Sequence, residues 1–288
     1  MRYDVAVVGG GPAGLSAAIQ ARSRNKSVLV VSAPVADIPL SRSPRVDNYP
    51  GLPHVSGRDL LEIFGRQAEE LGVERKTGRV LNIMPLGETF YLGIGSDVAE
   101  AQAVVLATGA VQGAKSPGEA RLLGRGVSYC ATCDGMLYRG KAVAVVGRTA
   151  QAPAEAKYLQ SIGCQVTYVA AKRPDELDDA IPFVQAAGPV EVLGETTVTG
   201  LRAGETLLPC DGVFLLRSAM ALSDLMPGLA EEGGYLAVDR GQRTNLPGVF
   251  AAGDCTGKPL QVSKAVGEGL VAGQNAADYV DEHNRKKG

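Results

Sequence analysis

Asp4-Val5-Ala6-Val7-Val8-Gly9-Gly10-Gly11-Pro12-Ala13-Gly14 decides the fold of this chain. Val5 to Val8 is a short apolar, β-branched run, the pattern of a parallel strand buried on both faces. An amphipathic helix is expected from Leu15 to Arg24, and a second strand from Ser27 to Ser32 completes a βαβ unit. In that context the glycine spacing has a mechanical meaning. Gly9 allows the tight turn, Gly11 lets a pyrophosphate approach the backbone, and Gly14 lets helix and strand pack closely. The helix N-terminus, opened by Pro12 and Ala13, faces the anion. The acid that often holds a ribose at the end of the second strand is absent; Ser32 stands there.

Further along, Val104-Val105-Leu106 is a strand that runs into the small-residue turn Ala107-Thr108-Gly109-Ala110. Gly248-Val249-Phe250-Ala251-Ala252 is another, ending in Gly253-Asp254, and a long helix is expected from Gln261 to Tyr279. Such strand ends suit an extended ligand: backbone approaches it closely, and Asp254 can accept a hydrogen bond from a polyol chain. Between these halves lies a second Rossmann-like unit, with strand Ala142–Gly147, helix Pro153–Ile162 and strand Gln165–Ala170. The expectation is an α/β protein of two Rossmann-like domains, the second inserted in the first: 1–113 with 242–288, and 114–241.

Near the start of the insert the chain reads Tyr129-Cys130-Ala131-Thr132-Cys133-Asp134-Gly135. A C-x-x-C pair closes a small ring, so it can open and close with little backbone movement, and the adjacent carboxylate can exchange a proton with a thiol. Half of a zinc site is the competing reading, but zinc needs four ligands. The other cysteines, Cys164, Cys210 and Cys255, are isolated and read as packing residues, and the only histidines are His54 and His283. No second ligand pair exists at zinc spacing, and a histidine-based triad has little to draw on. Asp-Gly is also a turn signal, so Asp134 either serves the thiols or caps the next segment. An Asp134→Asn change that left the pH profile untouched would favour the cap.

Composition narrows the partners. A net charge of −2 gives no electrostatic reason to expect nucleic acid or an anionic membrane. No run of 18 apolar residues predicts a membrane span. Five cysteines at irregular spacing are not a secreted disulfide framework, so a reducing cytoplasm is expected. The polar tail from Asp281 to Gly288 is expected to fray.

Together, Gly9 to Gly14, Asn48-Tyr49-Pro50-Gly51, Ala107 to Ala110, Cys130 to Gly135 and Gly248 to Asp254 resemble the thioredoxin reductase family of flavoproteins over essentially the whole chain. The resemblance implies the two-domain fold of the pyridine nucleotide-disulfide oxidoreductases, a homodimer, and FAD in the split domain. It places the cofactor on Gly9, Gly11, Pro12, Ala13, Gly14, Asn48, Ala107, Thr108, Gly109, Gly253, Asp254, Gln261 and Val262. It further implies that Cys130 and Cys133 take electrons from the flavin, Cys133 being the nearer, and pass them to thioredoxin; in the expected cycle Asp134, or water it orients, protonates the leaving thiolate.

The departures bear on the electron donor. The family's insert binds NADPH through G-x-G-x-x-A; here the stretch is Gly147-Arg148-Thr149-Ala150-Gln151-Ala152, with β-branched Thr149 where the pyrophosphate must come close. The family's H-R-R-x-x-x-R is replaced by Ala170-Ala171-Lys172-Arg173-Pro174-Asp175-Glu176. The family's G-G-Q after the second strand gives way to residues near Asp37-Ile38-Pro39. In lacking the NADPH motifs the chain is similar to the ferredoxin-dependent flavin thioredoxin reductases. Ferredoxin near about −400 mV and thioredoxin near about −270 mV differ by roughly 130 mV, on the order of 6 kcal/mol for two electrons. The alternatives are an NADPH enzyme in which Arg148, Lys172 and Arg173 rescue binding, another flavin disulfide oxidoreductase or dithiol oxidase, and a redox sensor.

Overall fold

The computed structural model describes residues 2–109, 116–216 and 225–285. Ala110 and the expected 113/114 boundary lie outside them. The chain divides into two compact units, Met1–Gln112 with Ala219–Gly288, and Gly113–Ser218.

The first unit opens with β1 (Arg2–Val8), α1 (Pro12–Ser23) and β2 (Val28–Ser32). α1 begins at Pro12, ahead of the expected Leu15, because Gly11 is its N-cap and a proline in the first turn lacks only an N–H that a helix start leaves unpaired. Next come α2 (Gly57–Glu70), β3 (Glu74–Thr77), β4 (Val80–Leu86), β5 (Thr89–Ile94) and β6 (Asp97–Leu106). The Ser56 hydroxyl caps α2 by accepting from Asp59 N at 3.1 Å. The sheet runs β3-β2-β1-β6-β5-β4; β1 is parallel to both β2 and β6, whereas β4, β5 and β6 form an antiparallel meander.

Strand alternation sorts β1 into two cores. Val5 and Val7 join Leu15, Val30, Leu60 and Phe64 in one cluster; Ala6 and Val8 join Leu29, Ile83, Leu92 and Leu106 in the other. Burial on both faces is why Val5 to Val8 has no polar alternate residue, whereas Arg2 and Asp4 alternate at the strand's open start.

In the second unit, α3 (Glu119–Leu122) leads to β7 (Val127–Ser128) and to α4 (Ala131–Asp134), a single turn. Then follow β8 (Ala142–Gly147), α5 (Ala152–Ser161), β9 (Gln165–Ala170), β10 (Phe183–Gln185), a three-stranded antiparallel sheet of β11 (Val190–Leu193), β12 (Gly200–Ala203) and β13 (Thr206–Pro209), and β14 (Gly212–Leu216). The main sheet is parallel, in the order β10-β9-β8-β14-β7. Strand order reverses between β8 and β14, the switch point where doubly wound sheets take their ligands.

The chain returns to the first unit through β15 (Glu231–Glu232), β16 (Tyr235–Leu236), β17 (Val249–Ala251) and α6 (Val262–Arg285). Leu225, Met226 and Leu236, which the sequence expectation grouped with the insert, pack with Leu106 and Val249 in the first unit's core. α6 lies on α1: a Cβ at Gly269 or Gly273 would strike the carbonyls of Ala13 and Ala17. The tail expectation is corrected for Asp281 to Arg285; residues 286–288 lie outside the described residues. α6 stays helical through Arg285 because Val280 is fully buried, Lys26 and Arg24 pair with Asp281 and Asp278, and the His283 ring stacks on Tyr279. No described helix is long and apolar enough to cross a membrane.

Candidate active site

Each unit carries one part of the candidate chemistry. In the first, Gly9 sits at φ 113°, and a Cβ there would strike the Ala107 carbonyl, so the turns after β1 and β6 touch backbone to backbone. Gly14 rests on the Gly9 carbonyl in the same way. Gly11 is different: nothing lies within 4 Å of where its Cβ would stand. No side chain caps α1 at this end, so its first N–H groups face an open space sized by a missing side chain. These residues fit the pyrophosphate of a dinucleotide.

Around this turn the other candidates are brought into the same unit. Asn48 Nδ2 donates to Gln261 Oε1 at 2.8 Å, and Val262 opens α6 and packs against the core beneath α1. Thr108 and Gly109 follow β6, Gly109 at φ 77° with open space beyond it. Tyr49 packs edge-on against Phe64, their ring centroids 5.4 Å apart.

The Gly253-Asp254 turn is held by residues that the sequence reading did not single out. Gly253 N donates to Glu268 Oε2 at 2.8 Å, and its carbonyl accepts from Lys264 Nζ at 2.8 Å. Lys264 also donates to the Gly257 carbonyl at 2.7 Å and pairs with Glu268 at 3.0 Å; the Thr256 hydroxyl joins both residues. Both charges are largely buried, so each depends on the other and on the turn. Burial pushes the Asp254 carboxyl above the usual carboxylate range, Lys264 opposes this, and Glu268 adds to it. The available signal was a Lys–Glu pair at i,i+4 just after the Gly-Asp turn.

In the second unit Cys130 and Cys133 form a disulfide, with Cα atoms 5.4 Å apart, a normal separation. Cys130 caps the α4 turn: its Sγ accepts from Cys133 N at 3.2 Å, with Thr132 Oγ1 at 3.4 Å. Cys133 and Thr132 are exposed, as are Met136 and Leu137 just beyond. Asp134 makes no side-chain cap to the turn that follows; its Oδ2 accepts from Ser128 Oγ at 2.6 Å. The adjacent Tyr129 points inward, donating to buried Glu119 at 2.7 Å. Gly135 is a packing glycine, since a Cβ there would press on Leu159.

The other cysteines are all buried, and burial pushes Cys210 and Cys255 up to about 11. Both are therefore thiols at neutral pH and poor nucleophiles. His54 lies exposed beside Asp47 and Arg45, away from any cysteine in sequence or contact.

Tyr168 of β9 is 1% exposed, and its hydroxyl fills the place where a Cβ on Gly147 would stand. Burial, with Glu155 and Glu176 adding, raises this hydroxyl to about 12, so it stays neutral. Gly147 thus has a packing reason to be glycine that involves no phosphate. Arg173 is engaged in its own loop, donating to the Asp178 carbonyl at 3.1 Å, pairing with Asp179 at 3.4 Å and lying over the Phe183 ring. A shallow hollow between the ends of β8 and β14 is lined by Ser116, Val146, Arg148 and Leu215.

A βαβ turn built for a dinucleotide and a C-x-x-C disulfide on a second nucleotide-type domain define a class. The pyridine nucleotide-disulphide oxidoreductase profile matches residues 3–269, and the chain belongs to that family. The thioredoxin reductase of Listeria monocytogenes is 34% identical, with 97% of this chain and 94% of that protein covered. Among solved structures, a ferredoxin-flavin thioredoxin reductase from Clostridium acetobutylicum superposes with a TM-score of 0.94 at 37% identity, covering 99% of each chain. A thioredoxin reductase from Gloeobacter violaceus gives a TM-score of 0.85 at 31% identity, covering 98% of this chain and 95% of that one.

Proposed function

We propose that this protein reduces the disulfide of thioredoxin through FAD and the Cys130–Cys133 pair, with reduced ferredoxin as electron donor. Two ferredoxins each give up one electron per turnover, and the thioredoxin disulfide takes both with two protons. FAD, when bound, supplies the exchange between one-electron and two-electron chemistry. The first unit would hold it, with Gly11 and the α1 N-terminus on the pyrophosphate, Asp254 accepting from the polyol, and Lys264 with Glu268 keeping the Gly253 turn in place. In the second unit the cysteine pair accepts the electrons as a dithiol, Asp134 gives a proton to the leaving sulfur, and exposed Met136 and Leu137 offer an apolar edge to a protein disulfide.

The donor assignment rests above all on Thr149, which stands where a dinucleotide motif needs its second glycine. In a dinucleotide site the first glycine of the motif makes the turn and the second lets phosphate meet backbone. Here Gly147 keeps the first, Thr149 stands at the second, and Arg173 is engaged with Asp178 and Asp179. The similarity to a ferredoxin-flavin thioredoxin reductase supports the same reading.

Calorimetry of the oxidised protein against NADPH tests the donor half. No saturable heat is expected with NADPH at about 1 mM, a binding free energy no stronger than about −4 kcal/mol. A micromolar Kd would return the chain to nicotinamide chemistry.

A further inference from the structure

Ser128 lies two residues before the redox pair, at the end of β7, and is 3% exposed. Its hydroxyl makes three contacts at one point. It accepts from Cys130 N at 3.1 Å, donates to Asp134 Oδ2 at 2.6 Å, and lies 3.2 Å from the Cys130 carbonyl. Cys130 is the residue that opens the α4 turn, and Asp134 is the residue that ends it. One buried hydroxyl therefore joins both ends of the segment that carries the two sulfurs.

The other ties across the turn are longer: Asp134 N to the Cys130 carbonyl at 3.3 Å, and Ala131 N to Glu155 at 3.4 Å. The Ser128–Asp134 bond is the shortest of the set, and a hydroxyl donating to a carboxylate is also the strongest type. It has a second property that matters for a redox pair: it does not involve sulfur. Reduction breaks the covalent tie between Cys130 and Cys133 but removes neither partner of the Ser128–Asp134 bond.

We propose that Ser128 is a positioning residue that keeps the Cys130–Cys133 dithiol closed up, so that the reduced pair is a stronger reductant than the bare C-x-x-C turn. This rests on the reading of the pair as the working disulfide. A ring held at both ends keeps each thiol at high effective concentration for the other, which favours re-formation of the disulfide and hence donation of its two electrons. Without the hydroxyl, Asp134 and Cys130 lose their common partner and the reduced turn opens.

The test uses the flavin-loaded protein, equilibrated without oxygen in glutathione buffers, with thiols alkylated and the state of the pair read by mass. In each reduction the disulfide and two glutathione thiols become the dithiol and one glutathione disulfide, so two electrons and two protons go to the pair. Ser128→Ala is expected to shift this constant about tenfold towards the dithiol, equivalent to about 30 mV for two electrons. Ser128→Thr, which keeps the hydroxyl, is expected to stay within about twofold of the parent. Asp134→Ala is expected to shift the constant in the same direction as Ser128→Ala, and adding Ser128→Ala to it to change little more, because the two side chains act as one contact. A constant unchanged in Ser128→Ala, or shifted equally in Ser128→Ala and Ser128→Thr, overturns the inference. If the pair in the unaltered protein does not titrate as a two-electron couple, it is the reading of the disulfide that fails instead.

Discussion

Cys133→Ser is expected to lower the rate of thioredoxin-disulfide reduction on the order of a thousandfold or more, the scale seen when a covalent participant is removed. One sulfur cannot store two electrons as a dithiol and release them by closing a ring. No other thiol can take its place: Cys164, Cys210 and Cys255 are buried, and those at 210 and 255 are held as thiols by their surroundings. Cys133 itself is exposed on a single turn of helix, so serine fits there without disturbing the core. The variant should therefore keep its flavin and its melting temperature while losing turnover. Steady-state assay beside a flavin spectrum checks this. A variant that reduced thioredoxin at a tenth of the parent rate would mean that electrons reach the substrate by another route.

Gly14→Ala is expected to cost both flavin and stability, whereas Gly11→Ala should cost mainly flavin. At Gly14 the new Cβ would collide with the Gly9 carbonyl, which is backbone and cannot rotate aside. Either the turn or α1 must shift, a strain of about 1–3 kcal/mol or more in a fold whose total stability is about 5–15 kcal/mol. Purified Gly14→Ala should carry well under half of the parent's flavin and melt several degrees lower in the flavin-free state. At Gly11 the Cβ meets nothing within 4 Å, and the backbone is extended at φ −78°, so alanine is unstrained. Its cost to the flavin-free protein is that of a poorer N-cap, about 1 kcal/mol at most. Its effect on flavin affinity should be large, because the Cβ enters the space reserved for phosphate. Equal flavin affinity in Gly11→Ala and the parent would move the cofactor away from this turn.

The contrast between these two glycines shows how much was legible in the sequence. Gly9, Gly11 and Gly14 follow a fixed spacing, so the tight turn at Gly9 and the close packing at Gly14 could be read from the sequence. The Cys130–Cys133 pairing was legible from its C-x-x-C spacing in the same local way. The contacts that complete the two sites are not local. Lys264 and Glu268 meet Gly253 only because α6 lies against the turn. Tyr168 falls inside the expected strand Gln165–Ala170, but that its hydroxyl ends against Gly147 depends on β8 and β9 pairing in register, Val145 beside Tyr168. Ser128 was close enough in sequence to be seen, but its value lies in reaching Cys130 and Asp134 at once, and that follows from the bend between β7 and α4. The tail failed for a related reason. Asp278 and Asp281 look like solvent charges until α1 and the segment after it bring Arg24 and Lys26 beside them.

The donor is the claim on which the functional account turns, and an anaerobic titration of the flavin absorbance addresses it directly. The purified, flavin-loaded protein is titrated with enzymatically reduced ferredoxin and, separately, with NADPH. Bleaching with ferredoxin and none with NADPH is the predicted result, and added oxidised thioredoxin should then restore the colour. Rapid bleaching with NADPH would contradict the account, and would mean that Thr149 leaves room for a nicotinamide nucleotide after all.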